Sequence, residues 1–358
     1  MQKQNSKLNF KGQPFYIGLD VHLRNWAVTI RNNDLTLKTF SMDPRPDLLL
    51  SHLNRNYPGG KYFSVYEAGF CGFWIHRALN DMGIKNIVIN PADVPTTHKE
   101  KHRRRDPVDS SKLSRELANQ SLKPIYVPDL FHEELRSLCR LYHRCVSHQT
   151  RLKNRIRGFL YRHNVQIPPR TEVFPWSGRF ITWLSFLSFE TEAAQANLHF
   201  CLGELQSERN RIKDILKSLR SISQKPPVKK IIHDYLMSVP GVGFITAITF
   251  YSEIVDMHRF SSFDKLAAFV GLVPDVDASG DRETTTGLTF RQNQYLRHML
   301  IESAWIAARL DPAMTLKFSE LAKKMKKQQA IIRIAKKLLS RMRYVWINET
   351  SYVKAIVY

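Results

Sequence analysis

Apolar residues in the N-terminal part of the chain come in short runs separated by turn residues, and this pattern predicts β-strands. Three such runs follow one another directly, and two more alternate with stretches of helical periodicity. This order favours an α/β domain in which helices pack on a mixed sheet. The predicted strands are 15–19, 26–30, 35–40, 62–66 and 87–89, and the predicted helices are 46–54 and 73–82.

The middle of the chain has the periodicity of long helices. Apolar residues recur at alternating steps of three and four from Leu135 to Phe159, and similarly from Leu198 to Ile222. Such heptad-like seams predict a helical hairpin, paired either within one chain or as a dimerising coiled coil. Arginines on the other faces of the first helix form either a solvated surface or a track for backbone phosphates.

Towards the C-terminus, residues 223–230 are rich in proline and lysine and predict a linker. The polar stretch 275–289 is interpreted as a loop, and the basic stretch 323–337 as an amphipathic helix. We therefore predict three domains: an α/β domain at 12–125, a helical connector at 130–225 and a mainly helical domain at 231–345.

The net charge of the chain indicates the kind of partner it binds. The chain has 54 Lys and Arg against 32 Asp and Glu, a formal net charge of +22, which favours a polyanionic partner. Nucleic acid is the first interpretation and a membrane surface the second. No apolar run reaches the length of about 18 residues that a transmembrane helix needs, and no signal peptide is evident, so we expect a cytoplasmic, nucleoid-associated protein. The four cysteines lack CxxC spacing, which favours reduced thiols over a zinc site.

Four carboxylates stand at positions where they could act together. Asp20 ends the first predicted strand, Glu67 ends the fourth, and Asp106 and Asp109 share one face at the start of a predicted helix. Phosphoryl transfer on DNA needs hard oxygen ligands for Mg²⁺, often for two ions that clamp the scissile phosphate. Each residue alone could equally be a turn or capping residue, and only their joint order predicts a metal site.

Several groups could contact DNA backbone. Arg103, Arg104 and Arg105 precede the helix start. Gly241 and Gly243 belong to a Pro-Gly-x-Gly turn that would present backbone N–H groups at a helix N-terminus, as in helix-hairpin-helix modules. A tight turn between helices is the alternative interpretation of this motif.

A serine beside a glycine, Ser279-Gly280, lies in the polar stretch after a Gly-Leu-Val-Pro segment. An exposed serine can act as a covalent nucleophile once its proton is removed. Arg282, Arg291 and Arg297 are close in sequence and could stabilise charge on the phosphate or hold DNA.

The order and spacing of these motifs resemble those of the IS110 family of insertion-sequence transposases, over nearly the whole chain. The N-terminal motifs resemble the family's DEDD pattern, and the C-terminal ones resemble its second conserved domain. Pro107 and Val108 stand between the last two aspartates where the family often has other residues, and proline is compatible with a helix start. The matching segments are 17–22, 66–69, Asp106-x-x-Asp109, 240–243, 260–262, 266–274, Ser279-Gly280 and 291–297.

The resemblance implies a RuvC/RNase H-like fold and a mechanism. Asp20, Glu67, Asp106 and Asp109 would bind Mg²⁺, as two ions with Mn²⁺ as a possible substitute, and Ser279 would form a covalent phosphoserine link with DNA. The active site would be composite within a homo-oligomer, a dimer or a tetramer. A structured noncoding guide RNA would pair with donor and target DNA.

Two other functions remain open from the sequence. In a metal-dependent nuclease or Holliday junction resolvase, water would be the nucleophile and Ser279 would be structural. A non-catalytic nucleic-acid-binding protein is the second, although clustering four like charges without a metal is costly. Ser252, Ser261 and Ser262 are weaker candidates for the nucleophile.

Overall fold

The computed structural model describes residues 9–95, 106–279 and 282–354, with the side chains of 106–107 and 276–286 left out of the description. The chain divides into two compact units, residues 1–127 and 128–358. Within the described residues, no helix is both long and apolar enough to cross a bilayer. All four cysteines are free thiols, and three of them, Cys139, Cys145 and Cys201, are buried.

The first unit is built on a five-stranded mixed sheet in the order β3-β2-β1-β4-β5. The first three strands pair antiparallel, and β4 and β5 run parallel to β1. This confirms the predicted mixed sheet. The strands are β1 (Pro14–Val21), β2 (Trp26–Asn32), β3 (Leu35–Met42), β4 (Lys61–Glu67) and β5 (Lys85–Ile89).

Among the described residues, the α-helices of this unit are α1 (Pro46–Asn56), α2 (Trp74–Asp81) and α3 (Asp106–Ala118). Buried apolar side chains of α1 and α2, Leu49, Leu53, Ile75 and Leu79, share one core cluster with the strands. Leu113 of α3 packs in a separate cluster with β4 and β5. Asp106 and Asp109 both lie in α3, as the sequence predicted.

Two long helices, α4 (Leu130–Arg162) and α6 (Glu192–Ser223), begin the second unit, with the short α5 (Gly178–Ser185) between them. Leu152 and Ile156 of α4 share a core with Leu198 and Leu205 of α6. Nearer the other end, Leu135 and Cys139 share a core with Ile215 and Leu219. The two seams therefore pair antiparallel within one chain.

The rest of the second unit forms one large core. Its helices are α7 (Phe244–Ile254), α8 (Phe263–Val270), α9 (Gln294–Leu310), α10 (Pro312–Lys324) and α11 (Lys327–Ile347). The prediction of one basic helix over 323–337 is wrong, because Met325 is extended and separates α10 from α11. Met325 packs against the core from this position.

The polar stretch after α8 is also not a loop. It forms an antiparallel hairpin of β6 (Pro274–Ser279) and β7 (Arg282–Leu288). The run Thr284-Thr285-Thr286 carries β-branched residues, whose strand propensity outweighs the polarity that favours a loop.

Candidate functional site

Asp20 and Glu67 come together because their strands are parallel neighbours. Leu19 of β1 pairs with Tyr66 of β4, and each carboxylate residue directly follows its member of the pair. Parallel strands end at the same edge of a sheet. The sequence prediction that both residues stand at strand ends is correct, and the register adds that these ends are adjacent.

Asp109 reaches the same edge because α3 lies directly on β1 at Gly18. A Cβ at Gly18 would be 2.6 Å from the backbone nitrogen of Ser114 and would also overlap the carbonyl oxygen of Ser110, so only glycine allows this approach. The Thr29 and Ser110 hydroxyls hydrogen-bond at 2.9 Å and fix the helix on β2 as well. The first turns of α3 are thereby held at the end of β1.

Two other predicted carboxylates, Asp20 and Asp109, lie within electrostatic range of Glu67. Partial burial raises the pKa of Glu67 above its usual range. The Lys112 ammonium opposes this shift, whereas the negative charges of Asp109 and Asp20 reinforce it. Asp106 is placed in α3 by its backbone, and its side chain lies outside the described residues.

Two residues at this edge were not among the sequence candidates. His22 Nε2 lies 3.2 Å from Asp20 Oδ2, and the His22 side chain is 45% exposed. Lys112 is buried on α3, one turn after Asp109. The i, i+3 spacing of Asp109 and Lys112 was visible in the sequence, but a lysine in a charged helix start is usually a solvated residue.

The donor chemistry of this edge fits a hard divalent cation, because Asp20, Glu67 and Asp109 offer carboxylate oxygens. Among the side chains that the structure describes, no three His, Cys, Asp or Glu residues are close enough together to form a metal-binding group.

Ser279 is the last residue of β6 and pairs with Arg282 of β7. It therefore stands at the end of the hairpin where the chain reverses, and the side chains of both residues lie outside the described set. Arg103, Arg104 and Arg105 lie outside the described residues altogether.

The three alternative serines differ in burial and in hydrogen bonding. Ser252 is fully buried in α7, and its hydroxyl donates to the Thr249 carbonyl at 2.9 Å. Ser262 is the N-cap of α8 and accepts from the Lys265 backbone N–H. Ser261 is exposed in the loop before α8.

The two glycines of the Pro-Gly-x-Gly turn have different surroundings. Gly241 has φ +86°, and a Cβ there would be 2.8 Å from the backbone nitrogen of Ala307, so this glycine permits close packing on α9. Gly243 is the exposed N-cap of α7, with open space where its Cβ would be. Close packing therefore explains the first glycine, and a helix N-terminus open to a ligand remains at the second.

The two arginines that follow the hairpin, Arg291 and Arg297, differ in exposure and in their contacts. Arg297 donates to the carbonyls of Thr289 and Gly271, at 2.9 and 3.3 Å, and burial lowers its pKa. It thus ties the end of the hairpin to the end of α8. Arg291 is exposed at the start of the loop that leads to α9.

A buried ion-pair network centred on Glu253 was missed by the sequence analysis. Glu253 is 1% exposed, and its two oxygens accept from Arg140 at 2.7 and 3.0 Å. Arg136 lies 3.4 Å away, and the Asn293 amide donates at 2.8 Å. Asn293 also caps α9. The network therefore joins α4, α7 and α9, which no sequence spacing reveals.

Comparison with known proteins gives two family matches. Residues 17–165 match a family model for DEDD transposases of the IS110 type. Residues 233–319 match the family model described as "Transposase IS116/IS110/IS902 family". The two matches lie in the regions that contain the carboxylates and the hairpin.

Individual relatives align over much of the chain. The Sinorhizobium fredii protein y4qE is 28% identical over 249 residues, which are 68% of this chain and 58% of that protein. Its counterpart y4rJ is 28% identical over 305 residues, 78% of this chain and 76% of that protein. The transposase for insertion sequence element IS1111A of Coxiella burnetii is 27% identical over 242 residues, 67% of this chain and 64% of that protein. Two of these alignments span less than two thirds of the relative's own length.

Proposed function

This chain belongs to the IS110 family of transposases, and from this premise we propose that it cleaves and rejoins DNA strands by metal-assisted phosphoryl transfer to a serine. The observation that carries the proposal is the position of Asp20 and Glu67 at the adjacent ends of two parallel strands, with Asp109 on the helix packed against β1.

The carboxylates would hold the cation. The family suggests dependence on a divalent metal, and we propose Mg²⁺, as two ions, bound by Asp20, Glu67, Asp109 and Asp106. Such ions withdraw charge from the phosphate and stabilise the oxygens that attack and leave. Lys112 is placed to balance the carboxylate charge before a cation binds.

Ser279 would be the nucleophile. Its oxygen would form a bond to phosphorus, its proton would pass to a base or to water, and the bond from phosphorus to the leaving sugar oxygen would break. The leaving oxygen would take up a proton, and its later attack on the phosphoserine would rejoin the strand. A position where the chain reverses in a hairpin suits this role, because it can approach a DNA backbone closely.

The proposal includes the partners implied by the family. Donor and target DNA would be the substrates, a structured guide RNA would select them, and a homo-oligomer would bring the serine and the metal ligands together. The net charge of +22 supports binding of more than one polyanion.

Covalent trapping tests the serine. The protein is incubated with labelled DNA and Mg²⁺, denatured, and examined for label that migrates with the protein. We expect a covalent product that Ser279→Ala abolishes and Ser261→Ala, the control at an exposed serine, retains. Free cleaved ends from Ser279→Ala at the normal rate would contradict the covalent route and favour the water-using nuclease.

Cation binding tests the carboxylates separately. Mg²⁺ or Mn²⁺ should raise the melting temperature of the wild-type protein, because a ligand of the folded state stabilises it. Asp20→Asn should lose this shift together with the covalent product. An undiminished shift in Asp20→Asn would show that the cation binds elsewhere.

A further inference from the structure

A groove in the second unit lies at the base of the β6–β7 hairpin. It is bounded by the start of α8, the base of the two strands and one face of α11, and its volume is about 910 Å³. This is within the range of about 300–1,000 Å³ in which proteins bind small molecules or single groups of larger ones. Nothing in the proposed catalytic site uses this groove.

The floor of the groove is apolar. Phe263 and Leu272 line it from α8 and the turn after it, Leu288 from β7, and Ile332 from α11. Phe263 and Leu288 are half-buried, so their side chains keep surface that a ligand can cover. Phe263 is an aromatic residue of the lining, and aromatic rings can stack with other planar groups.

The rim on the α11 side is cationic. Arg333, Lys336 and Lys337 stand at i, i+3 and i+4 and so share one side of the helix. The Lys336 Nζ atom lies 5.7 Å from the centroid of the Phe263 ring and 3.7 Å from Asp264 Oδ1. Among the described side chains, Arg333 and Lys337 form no ion pair, and both are exposed.

We propose that this groove binds one unpaired nucleotide of a DNA strand. The base would cover the apolar floor beside Phe263, and the flanking phosphates would lie on Arg333 and Lys337. Single-stranded nucleic acids are held in this way elsewhere, by aromatic platforms flanked by cations.

The combination of floor and rim favours a single strand over the alternatives. The phosphates of a duplex could bind the cations of the rim. Its bases, however, are paired and stacked, so they would leave the apolar floor uncovered. An apolar helix of a second protein copy would cover the floor but would bury the cations of a chain with net charge +22 against like charge.

The position of the groove indicates which strand it binds, and this step rests on the proposed role of Ser279. Strand β6 runs from Pro274 at the groove to Ser279. Six residues of strand span about 17 Å, the length of roughly five stacked nucleotides. The groove is thus placed to hold the DNA strand that leads away from the cleaved phosphate.

The rim is tested with two matched double variants. Arg333→Gln/Lys337→Gln removes the proposed phosphate contacts, and Lys213→Gln/Lys217→Gln removes two exposed cations one turn apart on α6. Fluorescence anisotropy measures the affinity of each protein for a short labelled DNA strand and for the same strand annealed to its complement, over a series of salt concentrations.

The groove variant should lose single-strand affinity preferentially. Its slope of log affinity against log salt should fall by about 1.4, since each single-strand phosphate contact contributes about 0.7. The α6 control should keep the wild-type ratio of single-strand to duplex affinity. An unchanged ratio in the groove variant would overturn the proposal.

The floor is tested from the ligand side. A strand with one abasic position in place of each base in turn keeps its phosphates and loses one stacking group. Wild-type affinity should fall by about fivefold or more at one position, the low end for loss of a stacked base. Phe263→Ala should abolish this difference, and Ile332→Ala, a smaller change at the same floor, should reduce it if Phe263→Ala does not fold.

The remaining outcomes separate this proposal from the proposed function. Equal affinity for every abasic strand would refute the binding of a base on the apolar floor. An effect confined to an RNA strand of the same sequence would overturn the assignment to DNA. A covalent DNA product with an unchanged affinity ratio would refute the groove and leave the enzyme activity intact. A wild-type protein that binds no DNA would refute both.

Discussion

Glu253 illustrates how a single buried residue depends on its neighbours. Its carboxylate is almost fully buried, and charge in such a place is tolerated only when it is paired and hydrogen-bonded. Arg140 supplies two of these bonds from α4, and Asn293 supplies one from the N-terminus of α9. Removal of one partner should therefore lower the free energy of unfolding more than the loss of an exposed ion pair does.

Arg140→Met tests this directly. After this substitution the Glu253 carboxylate keeps two partners, Arg136 at 3.4 Å and the Asn293 amide. We expect the free energy of unfolding to fall by about 3 kcal/mol, as for other broken buried pairs. Urea denaturation measures the change. Arg144→Met, at an exposed position one turn along the same helix, should change it by less than about 0.5 kcal/mol. Equal effects of the two substitutions would contradict the importance of the network.

His143 provides a pH dependence in the same region. Burial lowers the pKa of His143 below its usual value of 6.5; His298 adds to the shift, and the Glu253 carboxylate opposes it. Because the folded pKa is lower than the unfolded one, the stabilisation from a neutral His143 is complete above pH 6.5 and is lost as the pH falls through the folded pKa.

His143→Gln should therefore flatten the loss of stability on acidification below pH 6.5. The free energy of unfolding is measured by urea denaturation at a series of pH values. His199→Gln removes an exposed histidine of α6 and serves as the control. If His143→Gln and the wild-type protein lose stability in parallel below pH 6.5, the stated cause is wrong.

At the scale of elements, the approach of α3 to β1 determines where the carboxylates lie. Gly18 allows the backbone of the helix to contact the strand, and the Thr29–Ser110 hydrogen bond fixes the helix there. The helix contributes Asp109 and Lys112, whereas β1 contributes Asp20. The geometry of the site thus depends on one residue without a side chain.

Gly18→Ala should disturb stability and chemistry together. The added Cβ would overlap backbone atoms of Ser110 and Ser114, and such overpacking costs about 1–3 kcal/mol. The displaced helix should also reduce the covalent DNA product. Gly203→Ala, in α6 with open space around its Cβ position, should instead stabilise the protein by roughly 0.5–1 kcal/mol. A Gly18→Ala protein with wild-type stability and activity would refute the close approach.

At the scale of the whole molecule, positive charge is present in both units. Residues 1–127 contain 19 Lys and Arg against 11 Asp and Glu, and residues 128–358 contain 35 against 21. Neither unit alone accounts for the basic character of the chain. Contact with the nucleic-acid backbone is therefore expected from both.

Binding of non-specific duplex DNA should accordingly depend steeply on salt. Six phosphate contacts would weaken binding by about 10³-fold between about 50 and 200 mM salt, because each contact releases condensed counterions. Anisotropy titrations across this range measure the slope. A slope near zero would exclude an electrostatic interface with DNA.

Several elements followed from sequence patterns alone, and others did not. The strands of the first unit and the two long helices have strong, local periodicity. The β6–β7 hairpin was missed because the stretch 275–289 is mostly polar, which is typical of loops. The break at Met325 was missed because the residues on both sides favour helices. The Glu253 network joins residues more than a hundred positions apart, which a single sequence does not relate.

The sequence by itself determined the local elements of the sheet and the helices, the basic character, and the order of motifs by which the family is recognised, because each depends on neighbouring residues or on composition. The tertiary structure alone decided that the strand ends carrying Asp20 and Glu67 are adjacent, that the two helical seams pair within one chain, and that a cationic helix face meets an apolar floor below the hairpin. These facts depend on which distant surfaces pack together, and packing is set by the complementarity of whole faces.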